Sequence, residues 1–252
     1  MNLSDLIPNK YIREARIYPF LIAALPIGLA IFIWFPDELA KWKPIAGSAG
    51  VWIVAAMLIS QFVRDAGAKK QKRLFEVWGG TPTTKLLRHE NARNPIMLER
   101  THKKLEQLLS SDSELFKLPT KEEEKNDPVF ADQKYELCVS YLRNNTRDTD
   151  KFNLLFIENC SYGFRRNLWG LKIWGIVILI LSILMVFYKL LTSLSYSEFT
   201  SVSEVIVTLF LFILLSFWIF LINKQWVKEA AYRYAQALID SCDYLPANKS
   251  DR

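Results

Sequence analysis

Four stretches of the chain contain no Asp, Glu, Lys or Arg: Ile17 to Pro36, Pro44 to Val63, Ile173 to Tyr188 and Val205 to Asn223. A hydrocarbon core about 30 Å thick is crossed by about 20 residues of helix, and the first, second and fourth stretches meet that length. The third is shorter between Lys172 and Lys189, but flanking lysines snorkel to the interface, and its apolar run extends through Leu190, Leu191 and Leu194. With 51% hydrophobic and 23% charged residues the average composition is unremarkable. The segregation of the two classes along the chain is what excludes a soluble globular protein.

No small-residue cleavage pattern follows Ile17 to Phe35, so the first stretch is expected to stay in the protein rather than be removed as a secretory signal. Cys138, Cys160 and Cys242 form no CxxC, and neither His89 nor His102 stands near them at zinc-ligand spacing. Neither disulfides nor a metal, nor any cofactor, is expected.

Charge bias sets the orientation. The N-terminal arm holds Lys10, Arg13 and Arg16, the loop from Asp37 to Lys43 balances two bases with two acids, and Lys189 is the only base in the loop after the third stretch. Those two loops are expected to face outside. The strongly basic ends of the central segment, Arg64 to Arg73 and Arg165 to Lys172, then face the cytoplasm with both termini. The predicted fold is an all-α integral membrane protein with four transmembrane helices and a helical cytoplasmic domain between spans 2 and 3. Its parts are 1–63 (arm and first two spans), 64–167 (cytoplasmic ligand-binding domain), 168–223 (last two spans) and 224–252 (cytoplasmic C-terminal helix).

Within the central segment Thr81-Pro82, Asn94-Pro95 and Asp127-Pro128 each place a capping side chain before a proline suited to the first helical turn. Helices are expected to begin there. Leu98, Thr101, Leu105, Leu108 and Leu109 form one apolar stripe, and Phe130, Leu137, Cys138, Tyr141 and Leu142 a second. Pro119 to Asn126 reads as a solvated loop. Arg64 to Trp78 is expected to continue the second span, Lys151 to Asn167 to run into the third, and the tail stripe Trp226, Val227, Ala230, Tyr234, Ala237 and Leu238 to continue the fourth.

No nucleophile and base, paired carboxylates or metal ligands assemble at recognisable spacing, so no catalytic residue is assigned and the chain is read as non-enzymatic. Gly79-Gly80-Thr81-Pro82-Thr83-Thr84-Lys85 lacks the glycine before the lysine and the preceding strand of a Walker loop. It reads as a two-glycine helix stop followed by a proline-started helix, whose N-terminus could also present Thr81, Thr83 and Thr84 to an anion, with Lys85 and Arg88 beyond. The run Lys69, Lys70, Lys72, Arg73 suits anionic lipid or, with several subunits around one axis, a polyanion; Arg165-Arg166 carries the same two readings. The four stretches hold no ionisable residue, which argues against ion-coupled transport. Gly47, Ser48 and Gly50 give a small-residue face for helix packing or a pore, and Ser60 and Gln61 stand where the second span meets the cytoplasm.

Two segments, Trp78-Gly79-Gly80-Thr81-Pro82-Thr83-Thr84-Lys85-Leu86-Leu87-Arg88-His89 and Tyr162-Gly163-Phe164-Arg165-Arg166-Asn167-Leu168-Trp169-Gly170-Leu171-Lys172, together with the span order, resemble the membrane effectors of bacterial anti-phage systems encoded beside a nucleotidyltransferase. The Hailong effectors are the most similar group, and the four-span effectors of cyclic-oligonucleotide systems come next. The resemblance implies a homotetrameric, channel-like assembly in the bacterial inner membrane, held inactive by single-stranded oligodeoxyadenylate made by the linked nucleotidyltransferase. Loss of that ligand during infection would open the membrane and arrest the cell. In a cyclic-oligonucleotide system the ligand opens the membrane instead, and a membrane scaffold without conductance would share the topology. The sequence leaves these open.

Overall fold

The computed structural model describes residues 9–35, 38, 41, 49–110, 115–195 and 202–246. All regular structure among them is helical. The chain divides into two compact units, Met1–Lys72 with Cys160–Val227, and Arg73–Asn159 with Lys228–Arg252.

The first unit is apolar. It contains α1 (Lys10–Trp34), most of α2 (Ala49–Trp78), the later part of α7 (Asn153–Gly170), α8 (Lys172–Ser195) and α9 (Val202–Leu221). Three helices, α1, α8 over Lys172–Ser193 and α9, are long and apolar enough to cross a membrane. The remaining apolar stretch, Pro44 to Val63, is helical from Ala49 within α2, and residues 44–48 lie outside the described residues. Ala23, Ala30, Val63, Leu168, Leu179, Val186, Leu211 and Trp218 form the core, while Phe32, Leu58, Ile173, Ile213 and Phe220 stay exposed. That inversion is what lipid requires, since tails solvate apolar side chains as well as a core does.

Glycines let the backbones approach. A Cβ on Gly170 would fall 2.8 Å from the Gly67 nitrogen, and one on Gly175 would fall 2.3 Å from the Trp218 ring. Beside the first contact the buried Asn167 amide donates to the Ala15 carbonyl at 2.6 Å, inside a π-helical turn at Arg13–Ile17. A second π-turn, Phe217–Leu221, ends α9. Such turns release carbonyls from the regular ladder, and Lys172 Nζ donates to two of those nearby, on Ile219 (3.1 Å) and Ile222 (2.6 Å).

The helices outrun the uncharged stretches: α8 takes in Lys172 and runs past Lys189, as its apolar run through Leu194 led one to expect, and α9 takes in Glu204. Charged residues bounded the stretches in sequence, whereas in the fold neighbouring carbonyls and rings accept the lysines and the helix continues past them. The tail does not extend α9 unbroken. Asn223 accepts the Trp226 N–H at 2.9 Å and begins a new helix, α10 (Lys224–Asp240).

The second unit holds α3 (Pro82–Leu87), α4 (Pro95–Leu109), α5 (Lys121–Asn126), α6 (Pro128–Asn145), the beginning of α7, most of α10 and a 3₁₀ turn at Ser241–Tyr244. All three X-Pro dipeptides start helices as expected. Thr81 accepts from Thr84 N, Asn94 from Met97 N and Asp127 from Phe130 N. Leu87, Leu105, Leu108, Tyr135, Cys138, Leu142, Leu238 and Ile239 form a core of the kind found in water-soluble bundles.

Here too the structure departs from the sequence reading. Pro119 to Asn126 is not a loop: Thr120 and Glu123 make a reciprocal capping box that starts α5. The buried face of α6 is Ala131, Tyr135, Cys138, Val139 and Leu142, and Phe130 and Leu137 are about half exposed. The expected stripe omitted Tyr135, which can be buried because Glu124 accepts from its hydroxyl.

Candidate ligand-binding surface

The basic residues picked out in the sequence fall into two classes, those already bonded within the fold and those that face solvent. Gly79 (φ 75°) and Gly80 (φ 126°) turn the chain out of α2, in a backbone region that side-chain-bearing residues rarely adopt. Their amides bond to the Glu76 and Phe75 carbonyls, closing the helix end. Lys85 then reaches back, and its Nζ donates to the Trp78 carbonyl at 2.7 Å. Thr81 caps α3, its hydroxyl lies 3.0 Å from that of Thr83 and 2.6 Å from that of Thr84, and Thr83 and Thr84 are buried. Arg88 is held bidentately by Asp132, with Glu90 beside it. The bond to Asp132 raises the guanidinium pKa despite partial burial. The glycine-threonine segment therefore spends its donors on its own helix ends.

On α2, Lys69, Lys72 and Arg73 stand at i, i+3 and i+4, so they share one face. All three are exposed, and none has a bonding partner among the described residues; Glu76 follows on the same face. Lys70 points elsewhere. Its Nζ donates to the Trp169 carbonyl at 3.3 Å and lies 5.1 Å from the Trp169 ring centroid, and burial, with Lys172 nearby, lowers its pKa. Arg165 covers the Trp226 ring at 4.8 Å and donates to the Trp226 carbonyl. Arg166 donates to Gln71 and Asn167 and lies over Tyr162. Of the small-residue positions, Gly47 and Ser48 lie outside the described residues and Gly50 is in the first turn of α2; Ser60 is buried and donates to the Met57 carbonyl, and Gln61 is exposed.

A buried polar cluster in the second unit escaped the sequence reading. Glu124 Oε2 accepts from Tyr135 Oη (2.6 Å) and His89 N (2.9 Å), and its Oε1 accepts from Glu90 N (3.3 Å). His102 Nε2 is 2.8 Å from the Leu87 carbonyl, and its ring meets that of His89 edge-on. Burial lowers the His102 pKa, and burial together with Glu124 raises that of Tyr135 well beyond the usual phenol range. Three consecutive glutamates gave no sign of which would turn inward. Burial also pushes the Cys138 thiol up to about 12 and the Cys242 thiol up to about 11. Among the described residues no group of three or more His, Cys, Asp and Glu could hold a metal ion. Compared with known proteins, the chain matches no family model, no curated protein and no solved structure.

Proposed function

We propose that the chain is a non-enzymatic membrane effector of bacterial defence, acting as a homotetramer in the inner membrane. Its conducting path is controlled by an oligonucleotide, in the first instance single-stranded oligodeoxyadenylate made by a linked nucleotidyltransferase. The ligand holds the path closed and its loss opens it. The observation that carries this reading is the cationic face of Lys69, Lys72 and Arg73 on α2, the helix whose first half is apolar over Ala49 to Val63. One helix thus carries both a cationic face and a segment suited to lipid. A ligand that bridges such faces from several subunits shifts the assembly by its differential affinity for the closed arrangement. The remaining basic residues named in the sequence, Lys70, Lys85, Arg88, Arg165 and Arg166, are bonded within the fold and stand apart from this face. In this reading both termini and the second unit are cytoplasmic, and four helices span the membrane.

The test is fluorescence anisotropy of labelled single-stranded oligodeoxyadenylate with the detergent-solubilised full chain. Three phosphate contacts per subunit contribute about −2 to the log–log salt slope for each subunit that the oligonucleotide bridges. The charge-reversed variant Lys69→Glu, Lys72→Glu, Arg73→Glu is expected to lose binding while staying folded. If the wild type instead binds anionic vesicles and no DNA, the face is a lipid anchor and the proposal fails. In uninfected cells carrying the nucleotidyltransferase the same variant should depolarise the membrane. A silent, membrane-inserted variant would transfer the case to a ligand-activated effector.

A further inference from the structure

Three arginines of the first unit converge at the margin of its apolar stretches. Arg16 immediately precedes Ile17 on α1, Arg64 immediately follows Val63 on α2, and Arg166 stands near the end of α7, shortly before Lys172. Backbone contacts bring them together. The Asn167 amide donates to the Ala15 carbonyl, next to Arg16. A Cβ on Gly67, one turn beyond Arg64, would fall 3.3 Å from Arg166 Nε. The charges so gathered are not balanced. Arg16 makes no ion pair among the described residues; its Nε is buried with no hydrogen-bond partner, and its guanidinium lies 5.6 Å from the Tyr11 ring centroid. Arg64 and Arg166 repel its charge, and the carboxylate that acts on it, Asp65, already accepts from Arg64 Nε at 3.3 Å. Arg166 donates to Gln71 Oε1 at 2.9 Å and to Asn167 Oδ1 at 3.2 Å, amide oxygens that carry no charge.

Three guanidiniums thus share one carboxylate, and that carboxylate is exposed. Withdrawing a cation from water without a counter-charge is costly. The lysines of this unit avoid the cost by capping helix ends, as Lys172 does at Ile222, but no carbonyl among the described residues receives Arg16. An anion would supply what is missing. Guanidinium groups keep their charge, and their planar fork matches the oxygens of a phosphate. The place in the fold narrows the source of that phosphate: where an uncharged stretch gives way to its charged flank, a helix in a bilayer meets the headgroups. The exposed cations Lys69, Lys72 and Arg73 lie further along α2, away from the apolar stretch.

We infer that Arg16, Arg64 and Arg166 form a binding site for the phosphodiester headgroup of an anionic phospholipid. The phosphate supplies the negative charge that Asp65 alone does not, with Arg16 as its central donor. The acyl chains run along the exposed apolar side chains that follow on the same helices, Tyr18 and Leu21 on α1 and Leu58 and Phe62 on α2. One lipid thereby fastens α1, α2 and α7 to each other. The site is independent of whatever ligand the exposed face of α2 takes.

The test is native mass spectrometry of the full chain, released from detergent after incubation with phosphatidylglycerol or with phosphatidylcholine, whose choline offsets the charge of its own phosphate. The wild type is expected to retain phosphatidylglycerol at a concentration about tenfold lower than phosphatidylcholine. Arg16→Gln and Arg64→Gln should each weaken phosphatidylglycerol retention on the order of tenfold, the effect of losing one charge-assisted bond, and leave phosphatidylcholine retention as it was. Arg16→Lys should recover part of the loss. Lys224→Gln, which removes an exposed charge elsewhere in the same unit, should change neither. Equal retention of the two lipids by the wild type would overturn the inference, as would equal losses in Arg16→Gln and Lys224→Gln, which would reduce the effect to diffuse attraction. Displacement of the lipid by inorganic phosphate or by oligodeoxyadenylate would overturn it as well, by making the ligand a soluble phosphate. The wild-type comparison decides the matter by itself should an arginine variant not fold.

Discussion

The two units solve the same problem, packing helices, in opposite ways. The second unit hides Leu, Tyr and Cys in its core and keeps ion pairs such as Arg100–Asp243 at its surface. The first exposes its large apolar side chains and turns Asn167, Ser182 and Glu204 inward. In water, burying apolar surface drives association, at roughly 25 cal/mol per Å². Between helices in lipid that drive is absent, and close backbone approach with buried hydrogen bonds must replace it. One device is shared. A lysine donates to the last carbonyls of a helix at Lys70–Trp169, Lys172–Ile222, Lys189–Ile33 and Lys85–Trp78. These carbonyls lack intrahelical donors, and the helix dipole favours a cation there. These four lysines are therefore architectural.

The contrast breaks most readily at the glycines. Gly170→Val would drive a side chain against the backbone of Ala66 and Gly67, where nothing can rotate away. The expected cost is about 3 kcal/mol or more, at the upper end for overpacking, and the detergent-solubilised protein should lose its single size-exclusion peak. Gly28 has open space around it, so Gly28→Ala should leave the peak and the melting temperature unchanged or slightly raised. Equal behaviour of the two variants would mean that glycine contacts do not hold the apolar unit.

In the second unit the equivalent weak point is polar. Glu124→Ala removes the acceptor of two backbone N–H groups and the Tyr135 hydroxyl in a buried setting. The cost should be about 3 kcal/mol, with Glu124→Gln milder because one acceptor oxygen remains. Hydrogen exchange should rise at 89–91 and along α6 and stay unchanged in α8 and α9. A uniform rise across both units would show that they do not unfold independently.

Much of this fold could be read from residue order, because its causes are local. Proline after a capping residue fixes a helix start, and long uncharged runs suit lipid helices. What escaped the sequence depends on contacts distant along the chain. Glu124 is buried because Tyr135 and the turn at His89 supply donors. It does not differ in local pattern from its exposed neighbours Glu122 and Glu123. Of the candidate ligand residues, Lys69, Lys72 and Arg73 are presented as a free face, whereas Lys85 and Arg88 are claimed by the Trp78 carbonyl and by Asp132 on another helix. Spacing alone could not separate these two groups.

Acidification should affect the second unit through His102. Burial lowers its folded pKa below the unfolded value of about 6.5. Above that value both states hold a neutral ring and the contribution to stability is complete. As the pH falls below it, the unfolded chain takes up a proton that the folded ring resists, and stability declines by at most about 1.4 kcal/mol per pH unit until the folded pKa is reached. Chemical denaturation of the wild type between neutral and mildly acidic pH should show this slope. His102→Gln, which keeps a donor for the Leu87 carbonyl, should flatten it, and an unchanged slope would assign the effect to other groups.

The smallest expected effect separates the capping lysines from the exposed ones. Lys85→Met removes one charge-assisted bond to the Trp78 carbonyl, which water can partly replace, so a stability loss of about 1 kcal/mol is expected. Lys85→Arg should recover part of it. Lys69→Met, Lys72→Met or Arg73→Met removes no bond seen in the fold, and each should change stability by less than about 0.5 kcal/mol. Their effect on oligodeoxyadenylate binding should run the other way, weak for Lys85→Met and strong for the exposed three, with the salt slope shallower by about 0.7 for each phosphate that is no longer neutralised. Melting temperature and anisotropy measured on the same preparations would place each lysine on both axes. If Lys85→Met weakened DNA binding as much as Lys72→Met while leaving the melting temperature unmoved, the glycine-threonine turn would belong to the ligand surface after all, and the separation of architectural from ligand-facing lysines would have to be redrawn around it.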